Sequence, residues 1–347
     1  MHDLAQESID GRLPGLDLGA LSGWMGAALN ARPDEQMVGE LIVGGRSNLT
    51  YLVRAGSRQW VLRRPPLGRR LPTAHDMSRE VKVLKALSGT EVPVPAIVGE
   101  CADESVIGAP FYLMEYVDGR VIRSASDLDI PAADRHAIGL ALATTLAHLH
   151  RLDYQRIGLG SLGRPAGYVE RQVHRWQQQL ENSRVRELPL LDRLGHSLAR
   201  SVPVPSGAAV LHGDYRLDNV ILDRERPQSV VAVLDWEMAT LGDPRCDLGM
   251  LLMYWGQEGE RFATPVHAIT AAAGFPSRRE IVETYARETG AEPYDLPFFV
   301  ALAYFKLAVI VEGIHARYLD GLTVGDGYEQ MEAVTPVLAE QGLEALA

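Results

Sequence analysis

Between Val210 and Asp223 the chain reads VLHGDYRLDNVILD. Apolar residues flank a polar knot made of His212, Gly213, Asp214, Arg216, Asp218 and Asn219. Asp214 and Asn219 are five residues apart, and Asp235 closes the apolar run VVAVLD twenty-one residues after Asp214. A carboxylate can orient a hydroxyl and accept its proton. An amide oxygen and a second carboxylate suit Mg²⁺, a hard cation that prefers oxygen ligands. The trio therefore has the composition of a phosphoryl-transfer site, where positioning and charge neutralisation carry most of the catalysis. Taken singly, each residue is as well explained by a turn, because Gly, Asp and Asn favour turns for local backbone reasons. That alternative accounts for Gly213 but not for the spacing to Asp235.

Such residues need elements to hold them. Leu18, Leu21, Trp24, Met25 and Leu29 recur at helical spacing behind Asp17, a candidate cap, and Arg32-Pro33 should stop this helix. Three strands are expected at about 37–43, 49–55 and 59–64, joined by the turn-forming stretches GGRSN and AGSR. DMSREVKVLKALSG has a helical apolar period that ends at Gly89, and VPVPAIVGEC and APFYLMEYV read as two further strands. After about residue 117 the pattern turns helical, with PAADRHAIGLALATTLAHLHRLD, AGYVERQVHRWQQQLENS and ELPLLDRLGHSLARSV. Short strands around 208–211, 219–223 and 230–235 enclose the polar knot, and helices return near 245–256, 277–290, 295–318 and 326–340. The expected fold is α+β. A small five-stranded antiparallel β lobe with one inserted helix and a leading helix (1–116) precedes a larger, mainly helical lobe (117–347), and a cleft between lobes is the natural place for a ligand.

Bulk properties narrow the function. A formal net charge of -11 over 347 residues argues against general nucleic-acid binding, which wants a basic face. Cys101 and Cys246 cannot build a multi-bridge disulfide framework or a four-cysteine zinc site, so a reducing cytoplasm is expected. The N-terminal residues lack the apolar core of a signal peptide. The apolar run LPFFVALAYFKLAVIVEGIHA contains Lys306 and Glu312 and reads as a buried helix, so no membrane span is expected. Lysine occurs only at Lys82, Lys85 and Lys306. The glycine pattern GLGSLG, Gly158 to Gly163, follows a helix instead of a strand and does not make a dinucleotide site.

HGDYRLDN followed by LDWE resembles the catalytic segment of the aminoglycoside phosphotransferase-like kinase family, whose H-G-D-x-x-x-x-N loop is a cousin of the protein-kinase H-R-D-x-x-x-x-N. The likeness continues into ATLGDPRCDLG and covers about residues 36 to 320. GGRSNLTYLV, VLRRPP, AHDMSRE and PFYLMEYVDG are similar to the branch found as single bacterial proteins and as the kinase-like domain of long acyl-CoA dehydrogenases. The resemblance implies a protein-kinase-like two-lobe fold and an ATP- and Mg²⁺-dependent phosphotransferase. It makes Asp214 the catalytic base, and Asn219 and Asp235 the Mg²⁺ ligands. It places Gly44, Gly45, Ser47 and Asn48 in the loop that covers the ATP phosphates. Arg63 stands where protein kinases carry a phosphate-binding lysine, with Glu80 as its helix partner. Arginine keeps the charge and changes the geometry. Main-chain groups of Glu115 and Val117 are implied to hold the adenine. His212 is read as a structural residue that pins the loop. Asp247 is either a helix cap or, by the resemblance, a brace for the loop. Glu237 in place of the glycine of D-F-G, with no A-P-E segment following, points to a small-molecule kinase over a protein kinase.

The acceptor is a small-molecule alcohol in this reading. Tyr168, Arg171, His174, Arg175 and Trp176 on the first inserted helix are candidates to face it, although a solvated helix with Trp176 packed inward explains any one of them. Residues 54–82 hold eight positive side chains against Asp76 and Glu80, and the stretch Leu67 to Arg70 could meet a phosphate-rich coenzyme A thioester. The branch implies a hydroxyacyl-CoA. The alternatives are an aminoglycoside or other small alcohol as acceptor, or a nucleotide-binding module without chemistry.

Overall fold

Tyr51, Val53 and Ala55 alternate along one strand, Trp60 and Leu62 along the next, and Phe111 and Leu113 along a third, so that period-2 geometry puts all seven on one sheet face. In the computed structural model, which describes residues 13–29, 36–42, 48–67, 76–262, 265–321 and 328–347, that face is the core of the first of two compact units. This unit holds the chain to Asp118 together with Ala232–Glu237. Its elements are α1 (Leu18–Leu29), β1 (Val38–Leu41), β2 (Leu49–Ala55), β3 (Arg58–Arg64), α2 (Met77–Leu87), β4 (Ile97–Cys101) and β5 (Phe111–Glu115). The five strands form an antiparallel sheet in the order β1-β2-β3-β5-β4, with Tyr51 opposite Leu62 and Val53 opposite Trp60. Leu21 and Met25 of α1 are fully buried in the same core.

Local signals set the helix ends. Asp17 Oδ1 accepts from the Ala20 N–H at 2.9 Å. Asp76 Oδ1 caps α2 by accepting from Ser78 N and Arg79 N at 3.0 and 3.2 Å. β4 is shorter than VPVPAIVGEC suggests. Pro93 and Pro95 cannot donate to a ladder, and the strand begins only at Ile97, with a register shift before Gly99.

The second unit comprises Gly119–Val231 and Met238–Ala347. Its helices are α3 (Ala132–Arg151), α4 (Tyr168–Ser183), α5 (Pro189–Arg200), α6 (Arg245–Tyr254), α7 (Pro265–Ile269), α8 (Arg278–Thr289), α9 (Leu296–Leu319) and α10 (Met331–Leu346). Short strands β6 (Ala209–Leu211), β7 (Val220–Leu222), β8 (Val230–Val233) and β9 (Thr240–Gly242) interrupt them. The chain passes back to the first unit within β8. The expected 230–235 strand thus ends at Val233. Neither β9, which pairs antiparallel with β6, nor α7 was expected from the sequence; they are three and five residues long.

α9 organises this unit. Phe298, Phe299, Leu302, Phe305 and Val309 are buried with Val173 and Trp176 of α4, Leu194 of α5, Met253 of α6 and Leu338 of α10. By length and composition α9 could cross a bilayer, but 61% of its most apolar window is buried inside the fold. Two of its charges have partners: Glu312 receives a two-pronged ion pair from Arg186 at 3.0 and 2.7 Å, and Lys306 reaches the polar knot.

Candidate active site

The knot sits between β6 and β7 in the second unit. Gly213 has φ +85°, and a Cβ there would lie 2.7 Å from the Met238 carbonyl oxygen, so only glycine fits. His212 is fully buried, and its Nδ1 accepts from the Asp214 N–H at 3.2 Å, the pinning role expected of it. Asp247 lies in the first turn of α6, whose N-terminal flanking residue is Pro244, so the cap alternative does not hold. Its carboxylate accepts from the main-chain N–H groups of His212 at 2.6 Å and Gly213 at 2.9 Å. His150 Nε2 stands 3.4 Å from the same carboxylate, and His150 Nδ1 is 2.7 Å from the Tyr285 hydroxyl. Burial pushes the Asp247 carboxyl up, but the bonds and charges of His150, His212 and Gly213 outweigh it and hold the pKa below the usual carboxylate value.

On this braced loop Asp214 and Asn219 meet. Asn219 Nδ2 donates to the Asp214 carbonyl at 2.8 Å and to Asp214 Oδ2 at 3.1 Å. Both amide hydrogens are thereby committed, and Oδ1 is the atom left for a hard cation. Arg216 Nε also bonds Asp214 Oδ2, at 3.3 Å. The bonds therefore fall on one oxygen of Asp214, and Oδ1 can receive a hydroxyl. Arg216 and Asp218 are drawn into the same network. Arg216 lies over the Tyr254 ring at 5.0 Å and pairs with Asp218 at 3.2 Å, their side chains only 24% and 16% exposed. Asp218 Oδ1 is buried without a hydrogen-bond partner, and burial pushes its carboxyl up against the pull of Arg216.

The first unit gathers a second set. Arg63 Nη1 pairs with Glu80 Oε1 at 2.9 Å, and Nη2 with Asp235 Oδ1 at 3.1 Å. Burial opposes the Arg63 charge, but Tyr112, Glu80 and Asp235 hold its pKa above the ordinary guanidinium value. Arg63 Nε is buried with no hydrogen-bond partner. Asp235 adopts φ +66°, a left-handed conformation that side-chain-bearing residues seldom take. Trp236 Nε1 holds the bend by donating to the Val233 carbonyl, and the Val233 N–H donates to Pro93. Asn48 is buried, and its Nδ2 donates to Glu237 at 3.2 Å. Gly44, Gly45 and Ser47 lie outside the described residues, as do Gly68 to Arg70 of the basic arm. Glu115 ends β5, with its N–H bonded to the Ala96 carbonyl, and Val117 follows in irregular chain. No cluster of three or more His, Cys, Asp or Glu able to hold a metal occurs among the described residues. Mg²⁺ does not need one, since it keeps waters and phosphate oxygens and takes only one or two protein oxygens. Asn219 and Asp235 each offer an oxygen of that kind.

A cavity of about 40 Å³ adjoins the knot within the second unit. Tyr168, Gln172 and Trp176, on one face of α4 at i, i+4 and i+8, line it with Gly213, Phe299 and Lys306. Tyr168 and Trp176 were candidates; Gln172 and Lys306 were not. Gln172 could have been found by continuing the helical face from Tyr168. Arg171 turns back to the Arg164 and Ala166 carbonyls.

Three comparisons bear on this geometry. Residues 38–283 match the model of a family described as "Phosphotransferase enzyme family". Acyl-CoA dehydrogenase family member 11 of Rattus norvegicus is 39% identical over 307 residues, which cover 86% of this chain and 39% of that protein. The chain thus spans about two-fifths of that relative's length. A crystal structure from Ralstonia eutropha, of a protein provisionally assigned as an aminoglycoside phosphotransferase, aligns with TM-score 0.81 and 34% identity over 95% of this chain and 98% of that one. Choline kinase of Cryptosporidium parvum aligns with TM-score 0.66 over 95% of both chains at 11% identity, a likeness of fold alone.

Proposed function

The chain belongs to the phosphotransferase enzyme family of small-molecule phosphotransferases, and on that premise we propose that it moves the γ-phosphoryl group of ATP to an alcohol hydroxyl. The observation that carries this reading is the bonding of the knot. Asp214 is held through Oδ2, while Asn219 commits its amide hydrogens and presents an oxygen.

In this reading Asp214 orients the acceptor hydroxyl and takes its proton as the oxygen attacks phosphorus and the bond to the ADP leaving oxygen breaks. Asn219 and Asp235 are the protein ligands of Mg²⁺. When bound, the metal supplies neutralisation of charge on the phosphate oxygens. Arg63, steadied by Glu80, holds phosphate oxygens through its fork of donors. Gly44, Gly45, Ser47 and Asn48 belong to the loop over the phosphates. Glu115 and Val117 hold the adenine through main-chain groups, with Glu115 using its carbonyl because its N–H is taken. The likeness to an acyl-CoA dehydrogenase family member supports a hydroxyacyl-CoA as acceptor; the Ralstonia relative's assignment favours an aminoglycoside as the second reading. Free Cys101 and Cys246 fit a cytoplasmic setting.

ATP consumption screened over hydroxyacyl-CoAs, aminoglycosides and choline tests the acceptor. Asp214→Asn should lower kcat by about a hundred- to ten-thousand-fold with an unchanged melting temperature. Turnover equal to wild type would reject Asp214 as the base.

A further inference from the structure

The cavity beside the knot contains a cation that the proposed chemistry leaves unused. Lys306, midway along α9, donates from Nζ to the carbonyl of Gly213 at 2.6 Å, one residue before Asp214. Its ammonium lies 5.9 Å from the ring centroid of Trp176, and Arg175 stands over the same ring at 5.6 Å. The rest of the wall is largely aromatic or aliphatic, from Tyr168, Met250, Phe299 and Leu302, with Gln172 as a second polar group. An ammonium carries three N–H donors, and Gly213 takes one. The other charged residue in the wall, Asp247, already serves His212, Gly213 and His150. Burial lowers the Lys306 pKa, while Asp214 and Asp247 act to keep it charged.

We infer that Lys306 is a specificity-determining residue: its ammonium, with Gln172 beside it, receives a carbonyl or carboxylate oxygen of the acceptor alcohol and turns away cationic acceptors. The inference rests on the phosphotransferase reading of Asp214. The few polar groups of the cavity, set in a mostly apolar wall, suit the polar end of a small acceptor. A quaternary ammonium or aminosugar would bring like charge against Lys306, and rejection by like charge is an effective source of selectivity.

The test compares wild type, Lys306→Gln and Lys306→Met with three acceptors and ATP-Mg. They are 3-hydroxybutanoyl-pantetheine, 1,3-butanediol as its carbonyl-free counterpart, and choline as a cationic alcohol. Wild type should prefer the thioester. Both variants should raise the thioester KM by about tenfold or more, shrink its advantage over the diol, and leave the KM for ATP in place. Lys306→Gln keeps a donor for Gly213, so it separates bracing of the loop from recognition of the acceptor. Wild-type acceptor ratios in Lys306→Gln would overturn the inference and leave Lys306 a brace. If Lys306→Met does not fold, the Gln variant alone decides. A wild type that turns over none of the three, with no loss of ATP consumption in Asp214→Asn, would overturn the phosphotransferase reading and this inference with it. Turnover with unaltered acceptor ratios would sink the inference alone.

Discussion

Arg63 serves two carboxylates at once, Glu80 at 2.9 Å and Asp235 at 3.1 Å, and keeps a buried Nε without a partner. A planar fork can do this, whereas the point charge of lysine cannot span the same directions. Arg63→Lys should therefore raise the KM for ATP by roughly tenfold while the protein stays folded. Arg63→Met is a harsher change. It strands Glu80, whose side chain is 2% exposed, and breaking a buried pair in this way costs about 3–5 kcal/mol. Urea unfolding of the two variants beside wild type measures the difference, and equal stabilities would show that the pair is not a structural tie. The Arg63–Glu80 partnership was legible through the resemblance, which sets a strand-end cation and a helix acid at the lysine and glutamate positions of protein kinases. The third member, Asp235, was legible only as a candidate ligand, since its contact with Arg63 spans 172 residues. Arg216 and Lys306 carried no signal at all. Whether an arginine is solvated or stacked on Tyr254, and which carbonyl a lysine on an apolar helix reaches, are decided by tertiary packing.

At the scale of elements, the first turn of α6 fixes the loop. Asp247 lies at a helix N-terminus, where the dipole favours negative charge, and accepts two main-chain N–H groups from the knot. Its folded pKa is held below the unfolded value of about 3.9. The linked stability is therefore fully present above the unfolded pKa and is lost as pH falls through the folded one. Glu280 acts with the same sign in the capping box of α8, where His136 and Ser277 lower it to about 2. Wild type should lose stability progressively from about pH 5 downward. Asp247→Asn, which cannot titrate, should show a shallower acid limb and a loss of about 2–4 kcal/mol at pH 7. Denaturant midpoints at pH 7, 5, 4 and 3 check both; an unchanged acid slope would contradict the assignment. Elements with strong period and capping residues, such as α2 between Asp76 and Gly89, stand where the sequence puts them. β9 does not announce itself, because three residues show no period and its pairing with β6 is long-range.

For the whole molecule, the order of a β-rich part followed by a helical part was visible in the change of pattern near residue 117. The return of Ala232–Glu237 to the first unit was not, since it depends on the Val233–Pro93 bond and the Arg63–Asp235 pair. If ATP and Mg²⁺ bind the folded chain as proposed, ligand at a hundredfold its Kd should add about 2.7 kcal/mol. Differential scanning fluorimetry should then show a rise in melting temperature with ATP-Mg that EDTA reverses, and an identical rise with EDTA present would remove the metal from the proposal. The scarcity of lysine has a spectroscopic consequence. Only Lys82, Lys85 and Lys306 occur in the chain, and Lys85 faces outward to Glu100 on the sheet. A protein grown on ¹⁵N-labelled lysine would give only three side-chain signals. One of them, bonded to Gly213, would report on the residue beside the catalytic aspartate without any label being added to the loop.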